Sequence, residues 1–223
     1  MSVWTVRGLL GAGIAATVMT VGVVLPRPLG EPAWAPPEER AAEAPSRRPL
    51  RRLVEGQLCA RATGLEPGAR MRLAEVIIEE AERARLDPLL VLAIIEVESG
   101  WDLDAESNRG AQGLMQLRPT TLLGEAARSG LFSVDLTDPA LNVRAGVRYF
   151  RRLLDAFRRE ETALMAYNAG PARIRGYLRA GEVPERFRAY PRRVRHEVTR
   201  LRRALGPAAG QAVAIRDRVG SSR

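Results

Sequence analysis

From Leu89 to Val97 the chain is apolar at every position except Glu96. Asp87-Pro88 stands just before this run and is a strong helix start, because Asp caps the first turn and Pro fits the first helical position. A helix that is apolar nearly all round its circumference has no face to give to water, so it must be central and buried. It stops near Ser99-Gly100. Any fold for this chain must therefore wrap other elements around one short helix whose last turn carries two carboxylates, Glu96 and Glu98.

The surrounding sequence supplies those elements, and they read as helices. Met71, Val76, Ile77, Ala81 and Ala84 form an apolar stripe at spacings near 3.6. Pro119 opens a helix to about Ala127, and Asn142 is placed to cap one that runs to about Phe157. Thr162 to Ala169 makes a short helix, Pro171 starts the next, and Pro184 to Leu205 reads as a last stretch kinked or split at Pro191. Strand signals are thin; Asp102 to Gly113 is the one place for a small hairpin or open loop. The fold class expected is all-α, a compact multi-helix domain over residues 66–205. Aromatic residues make up 5%, so its core must come mainly from Leu, Val, Ile and Ala.

Outside that domain the composition changes. Gly8 to Leu25 is uncharged and mostly apolar, and eighteen helical residues reach about 27 Å, just enough for a bilayer core. Residues 1–25 read as a signal peptide or an N-terminal membrane anchor, with Ala33-Trp34-Ala35 as a small-x-small cleavage site. Either sends the rest of the chain across a membrane, to the periplasm or cell envelope, with the inner membrane as a partner if the segment is retained. Residues 26–65 read as a Pro-rich linker, since seven of the fifteen prolines fall between 26 and 50. Residues 206–223 read as a disordered tail rich in Gly, Ala and Ser.

Charge and rare residues narrow the function. The net charge is +9 and every basic side chain is Arg, none Lys, which looks like a coding bias. The arginines are scattered through helical stretches rather than gathered with aromatics into a recognition motif, so nucleic acid is not the partner expected. One cysteine, Cys59, and one histidine, His196, exclude a disulfide framework and a Cys/His zinc site. Cys59 reads as a small buried hydrophobe or an idle thiol. Neither metal nor cofactor is expected, and acid/base chemistry rests mostly on carboxylates.

Positions two apart on a helix point about 200° away from each other, so Glu96 and Glu98 form no dyad. A Glu at a helix C-terminus with apolar neighbours meets the negative end of the dipole and is desolvated. Both effects favour the protonated form that a general acid needs near neutral pH. Read alone, the segment more often means a Glu that merely reaches solvent at the helix end, because most perturbed carboxylates are structural. Gly110-Ala111-Gln112-Gly113-Leu114-Met115-Gln116 follows, with glycines that let backbone approach a ligand and an amide that both donates and accepts. Ala166-Tyr167-Asn168-Ala169-Gly170-Pro171 adds a phenol and an amide suited to sugar recognition, although each alone is more often a core aromatic or a cap.

Taken together and in this order, these blocks resemble the catalytic domain of the soluble lytic transglycosylases, the family 23 glycoside hydrolases, related in fold to goose-type lysozyme. Glu98-Ser99 with Trp101 matches the family's Glu-Ser motif, and Gly110-Ala111 with Gly113-Leu114-Met115-Gln116 and Pro119-Thr120-Thr121 its second block. Asp138-Pro139, Asn142, Gly146 and Tyr149 match the next, then Tyr167-Asn168-Ala169-Gly170-Pro171, and Tyr190 resembles the final Tyr near the groove. Leu103, Asn108, Leu122 and Pro191 depart from the usual residues and put the shape of the sugar subsites in doubt.

The resemblance implies a lysozyme-like domain that cleaves the β-1,4 bond between N-acetylmuramic acid and N-acetylglucosamine in peptidoglycan strands, forming 1,6-anhydro-muramic acid. It implies Glu98 as the single general acid/base and Tyr167 as the residue that orients it. Ser99, Gly113, Met115, Gln116, Asn168 and Tyr190 would contact substrate. Glu96 is the competing acid, and two other functions stay open: a muramidase of the lysozyme kind that uses water, and a non-catalytic envelope module.

Overall fold

The computed structural model describes residues 47–130 and 135–206. These form eight helices: α1 Arg47–Arg61, α2 Pro67–Arg83, α3 Pro88–Ser99, α4 Pro119–Arg128, α5 Pro139–Phe157, α6 Glu160–Ala169, α7 Pro171–Arg179 and α8 Ala189–Leu205. A single 3-10 turn, Glu185–Arg188, precedes α8. The only pairing of β type among the described residues is two isolated bridges, Glu106 with Gln112 and Gln112 with Leu117. The fold is all-α.

Helix α3 is the centre. Every residue from Leu89 to Ile95 is buried, with α8 and α2 packed against it. The Asp87 carboxylate accepts from the Leu89 amide at 2.8 Å, the cap expected from Asp-Pro. Around this axis α5 packs on α2, α4 and α6, and α6 on α7 and α8. A second, smaller apolar cluster of Leu117, Leu122, Ala126, Leu141 and Ala145 fixes α4 to α5. Buried carboxylates reinforce these contacts: Glu80 of α2 holds Arg148 of α5 at 3.1 Å, and Glu125 of α4 holds Arg152 of α5.

Several elements differ from the sequence expectation. The linker expected over 26–65 ends earlier, because residues 47–61 are α1. Its Leu50, Val54 and Leu58, four apart, are buried in the core. Pro49 misleads here: it sits in the first turn of α1, where the missing N–H has no helical partner to lose. On α2 the buried face is Leu73, Ala74, Ile77, Ile78 and Ala81, whereas Met71 is 47% exposed. Met71 lies about 120° round the helix from Ile77, at the stripe's edge. Helix α5 begins at Pro139 under an Asp138 cap that accepts from the Ala140 amide at 2.9 Å, so Asn142 is inside the helix rather than its cap. Pro191 does not kink the last stretch: the break falls before Ala189, and Pro191 sits in the first turn of α8. Cys59 is exposed, not a buried hydrophobe.

The expected N-terminal anchor or signal over 1–25, the linker over 26–46 and the tail beyond Gly206 lie outside the described residues. Among those described, no helix is long and apolar enough to cross a membrane.

Candidate active site

The two carboxylates at the end of α3 meet opposite surroundings. Glu96 is spoken for: Arg61 Nη1 donates to its two oxygens at 2.8 and 2.9 Å, and the buried Trp101 Nε1 donates at 2.9 Å. Glu98 points the other way, into a cleft. Its Oε1 accepts from the Tyr190 hydroxyl at 2.6 Å, and it has no ion pair among the described residues. The helix ends sharply enough to hold this arrangement. Gly100 takes φ +60° and Trp101 follows at +72°, an uncommon conformation for a bulky residue. Ser99 Oγ donates to Ile95 O at 3.2 Å and accepts from the Trp101 amide at 3.1 Å. Ser99 is therefore a turn-closing residue and is not among those lining the cleft.

Burial pushes the Glu98 carboxyl up from 4.5 to about 7, with the Tyr190 hydrogen bond and the Arg193 guanidinium acting against it. The charge on Glu98 that costs energy is thus partly compensated but not paired, unlike those of Glu80, Glu96 and Glu125. Burial also holds the Tyr190 phenol well above its usual range, with the nearby Glu98 charge adding to the effect. Tyr190 is consequently a donor to Glu98 and not a base.

The facing wall is the loop from Ala105 to Arg118. Gln112 and Leu117 exchange backbone hydrogen bonds at 2.9 and 3.1 Å, which pinches the Gly113–Gln116 turn. Asn142 clamps that turn from α5: its Oδ1 accepts from the Met115 amide and its Nδ2 donates to Gln112 O, both at 2.8 Å. Gly113, at φ +73°, lies so close that a Cβ would stand 2.7 Å from the Asn142 amide nitrogen. Gly146 of α5 makes room for the buried Met115, whose Cβ would be 2.8 Å from a Cβ at 146. Gln116 turns its Nε2 back onto Ala105 O and Gly113 O at 2.9 and 3.1 Å, while the residue lines the cleft.

Tyr167 corrects the sequence expectation. Its hydroxyl donates to Met115 O at 2.7 Å, not to Glu98. It still lines the cleft with Asn168 and Tyr149, and its ring packs on Tyr149 and Phe150 with centroids 5.5 and 6.0 Å apart. The residue that holds Glu98 is Tyr190, reached from α8. Met115 and Gly113 also change role, since neither lines the cleft; they shape the turn behind it. Sequence reasoning missed the bridging function of Asn142, which looked like a cap, and gave no part to Arg193. The signal for Arg193 was its position three residues after Tyr190, on the same face of α8.

The cleft has a volume of about 560 Å³ and is lined by Glu98, Gln116, Thr120, Thr121, Tyr149, Tyr167 and Asn168 among others. That is ample for a small ligand or part of a polymer. Its lining carries a single carboxylate, Glu98. Among the described residues no group of three or more His, Cys, Asp and Glu could hold a metal ion.

Residues 75–186, half of the chain, match the family described as the transglycosylase SLT domain. The chain belongs to that family. A transglycosylase of Enterobacteria phage PRD1 is 30% identical over 63% of this chain and 48% of its own length. The soluble lytic murein transglycosylase of Escherichia coli K12 is 34% identical over 39% of this chain and 14% of its own length. An inactive mutant of the lytic transglycosylase Slt from Pseudomonas aeruginosa superposes with a TM-score of 0.53 at 27% identity, over 62% of this chain and 25% of that one. The chain thus spans about half the length of the phage relative and a smaller part of the other two. The SLT match takes in α3, the clamped loop, α5, α6 and α7, and so contains the cleft except for the Tyr190 side chain that α8 brings to Glu98.

Proposed function

We propose that this SLT domain is a peptidoglycan lytic transglycosylase that cleaves the β-1,4 bond between N-acetylmuramic acid and N-acetylglucosamine, with Glu98 as its only acid and base. The observation that carries this reading is the lone cleft carboxylate poised near neutrality. Ordinary glycosidases need two carboxyl groups, one as acid and one as base or nucleophile. A cleft with one suits a reaction in which a group of the substrate replaces the second.

Protonated Glu98 gives its proton to the bridging oxygen, and the bond from that oxygen to the muramyl anomeric carbon breaks. The positive charge that develops at the anomeric carbon is stabilised by the carboxylate just formed and by the substrate's own N-acetyl group. Glu98 then takes the proton of the muramyl carbon-6 hydroxyl as its oxygen bonds the anomeric carbon, closing the 1,6-anhydro ring. Glu98 ends protonated, and no water is consumed. A carboxyl near 7 can both give and recover a proton at neutral pH. Tyr190 holds Oε1 in place throughout, and Gln116, Asn168 and Tyr149 line the path of the strand.

Such an enzyme acts in the cell envelope, and the apolar run of residues 8–25 would deliver it there as a cleaved signal or a retained inner-membrane anchor. The test is digestion of peptidoglycan sacculi by the full chain, with the released muropeptides weighed by mass spectrometry. Products one water lighter than those of lysozyme, absent with Glu98→Gln and retained with Glu96→Gln, are expected. Hydrated products would make the protein a muramidase, and no release from sacculi or isolated strands would make it a binding module.

A further inference from the structure

Among the described residues the one hydrogen-bond partner of Glu98 is the Tyr190 hydroxyl of α8, so the direction of its carboxyl is set mainly by the backbone beneath it. That backbone is the end of α3, and it stops under strain. Gly100 and Trp101 both take the left-handed conformation, at φ +60° and +72°. Glycine enters that region freely, whereas a bulky residue stays there only when its surroundings over-determine it, and strain of this kind gathers at functional sites. The surroundings of Trp101 do over-determine it. Its side chain is 1% exposed, and its Nε1 donates to Glu96 Oε2 at 2.9 Å. That bond closes the loop from Glu96 to Trp101, with Glu98 inside it.

The loop is braced from outside. Arg61, the last residue of α1, donates to both Glu96 oxygens, and α1 is itself fixed by its buried Leu50, Val54 and Leu58. Arg61 lies ahead of residues 75–186, so the brace belongs to this chain beyond the matched domain. The Arg200 guanidinium of α8, raised above its usual range by its hydrogen bond to Glu197, also feels the Glu96 charge. Glu98, on the other side of α3, is faced by Tyr190 and Arg193 of α8 and by Tyr167 of α6. Arg61, Glu96 and Trp101 do not line the cleft, so whatever they do for the chemistry passes through Glu98.

We propose that Arg61, Glu96 and Trp101 form a clasp that holds the strained end of α3 and thereby aims Glu98 into the cleft. Glu96 and Trp101 are its positioning residues, and Arg61 is the brace. This rests on the transglycosylase reading for what Glu98 does, but the placement of Glu98 is tested without turnover. In the full chain the carboxyl titration of Glu98 is followed by carbon-13 NMR, assigned as the signal that Glu98→Gln removes. Rates on peptidoglycan strands give kcat and KM beside it. Trp101→Phe keeps a ring and loses the N–H, Glu96→Leu removes the acceptor, and Glu96→Gln keeps an amide oxygen that still accepts from Trp101.

Releasing the clasp lets Glu98 move toward water. Burial is the main cause of its raised proton affinity, so Trp101→Phe and Glu96→Leu are each expected to lower that affinity about tenfold. kcat is expected to fall about tenfold too, with KM changed less than about twofold, because a small misplacement of the reacting group costs rate rather than strand binding. Glu96→Gln is expected to leave both readouts near those of the unaltered chain. Arg61→Met is expected to move them in the direction of Glu96→Leu, and unmoved readouts there would overturn the part given to α1. The double variant of Trp101→Phe and Glu96→Leu is expected to match Glu96→Leu alone, since both break one bond. Additive losses would overturn the proposal, as would an unmoved Glu98 titration and kcat in the two single variants. Arg148→Gln, which loosens Glu80 of α2 and does not line the cleft, is expected to move neither readout, and equal shifts there would overturn the proposal in favour of general loosening. Should Trp101→Phe fail to fold, Glu96→Leu carries the same test with the indole in place. Absence of turnover by the unaltered chain would refute the transglycosylase reading, while the titration still decides the clasp.

Discussion

Glu98 and Glu96 differ in what meets them, and their variants should differ accordingly. On the proposed mechanism Glu98→Gln removes the acid of the cleft and is expected to lower turnover by roughly 10²–10⁴-fold, the contribution of general acid/base transfer. Glu96→Gln keeps the cleft intact but weakens the hold of Arg61 and Trp101, so it is expected to lower stability by about 1–3 kcal/mol in a denaturant titration while sparing most activity. The elevated carboxyl also sets a pH dependence of stability. The folded state binds the Glu98 proton more tightly than the unfolded chain, so the contribution of Glu98 to stability is greatest below about 4.5 and is lost as pH rises through about 7. Glu98→Gln removes that cost, and thermal melts should show it more stable than the unaltered chain by about 2–3 kcal/mol at pH 8, with no gain at pH 4. Tyr190 lowers the carboxyl's proton affinity, so Tyr190→Phe is expected to move the alkaline limb of kcat/KM from about 7 to higher pH. A limb that stays put would remove Tyr190 from control of the acid. The opposed directions of Glu96 and Glu98 follow from helical geometry and were legible in the sequence. Which phenol reaches Glu98 was not: Tyr167 and Tyr190 lie 69 and 92 positions away along the chain, and only tertiary packing decides between them.

Element by element, the sequence is clearest where punctuation is local. The Asp-Pro and Pro starts of α3, α4 and α7 and the glycine that ends α3 at Gly100 stand where residue chemistry puts them. It misleads where one residue type serves two ends, as with Asn142. An Asn ahead of a helical run signals a cap, yet here Asp138 already caps α5, and the Asn142 amide is free to clamp the loop that forms the far wall. That clamp is a pair of hydrogen bonds, the one to the Met115 amide buried and the one to Gln112 O partly so. Asn142→Ala strands the Met115 amide and leaves the Gln112 carbonyl only the Leu117 amide, and is expected to cost about 1–3 kcal/mol in denaturant titration. It should also raise KM as the wall loosens, whereas a change of stability with unchanged KM would make the clamp purely structural.

On the scale of the whole molecule, the all-round apolar α3 demanded enclosure, and the structure supplies it from both sides in the chain, with α1 and α2 ahead and α5, α6 and α8 behind. Helix α1 escaped sequence reading because its one proline and five arginines outnumber the residues Leu50, Val54 and Leu58 that anchor it. Its burial gives Arg61 a fixed position beside Glu96, so enclosure and the fate of the two carboxylates are one problem. The same enclosure leaves a cleft with one carboxylate, and everything proposed for the chemistry depends on that count. The most direct measurement is cleavage of peptidoglycan by the full chain in water enriched in heavy oxygen, with the new sugar ends analysed by mass. The internal attack through Glu98 predicts anhydro ends that contain no heavy oxygen and no cleavage by Glu98→Gln. One heavy oxygen at each new reducing end would show that water is the nucleophile and would contradict the account.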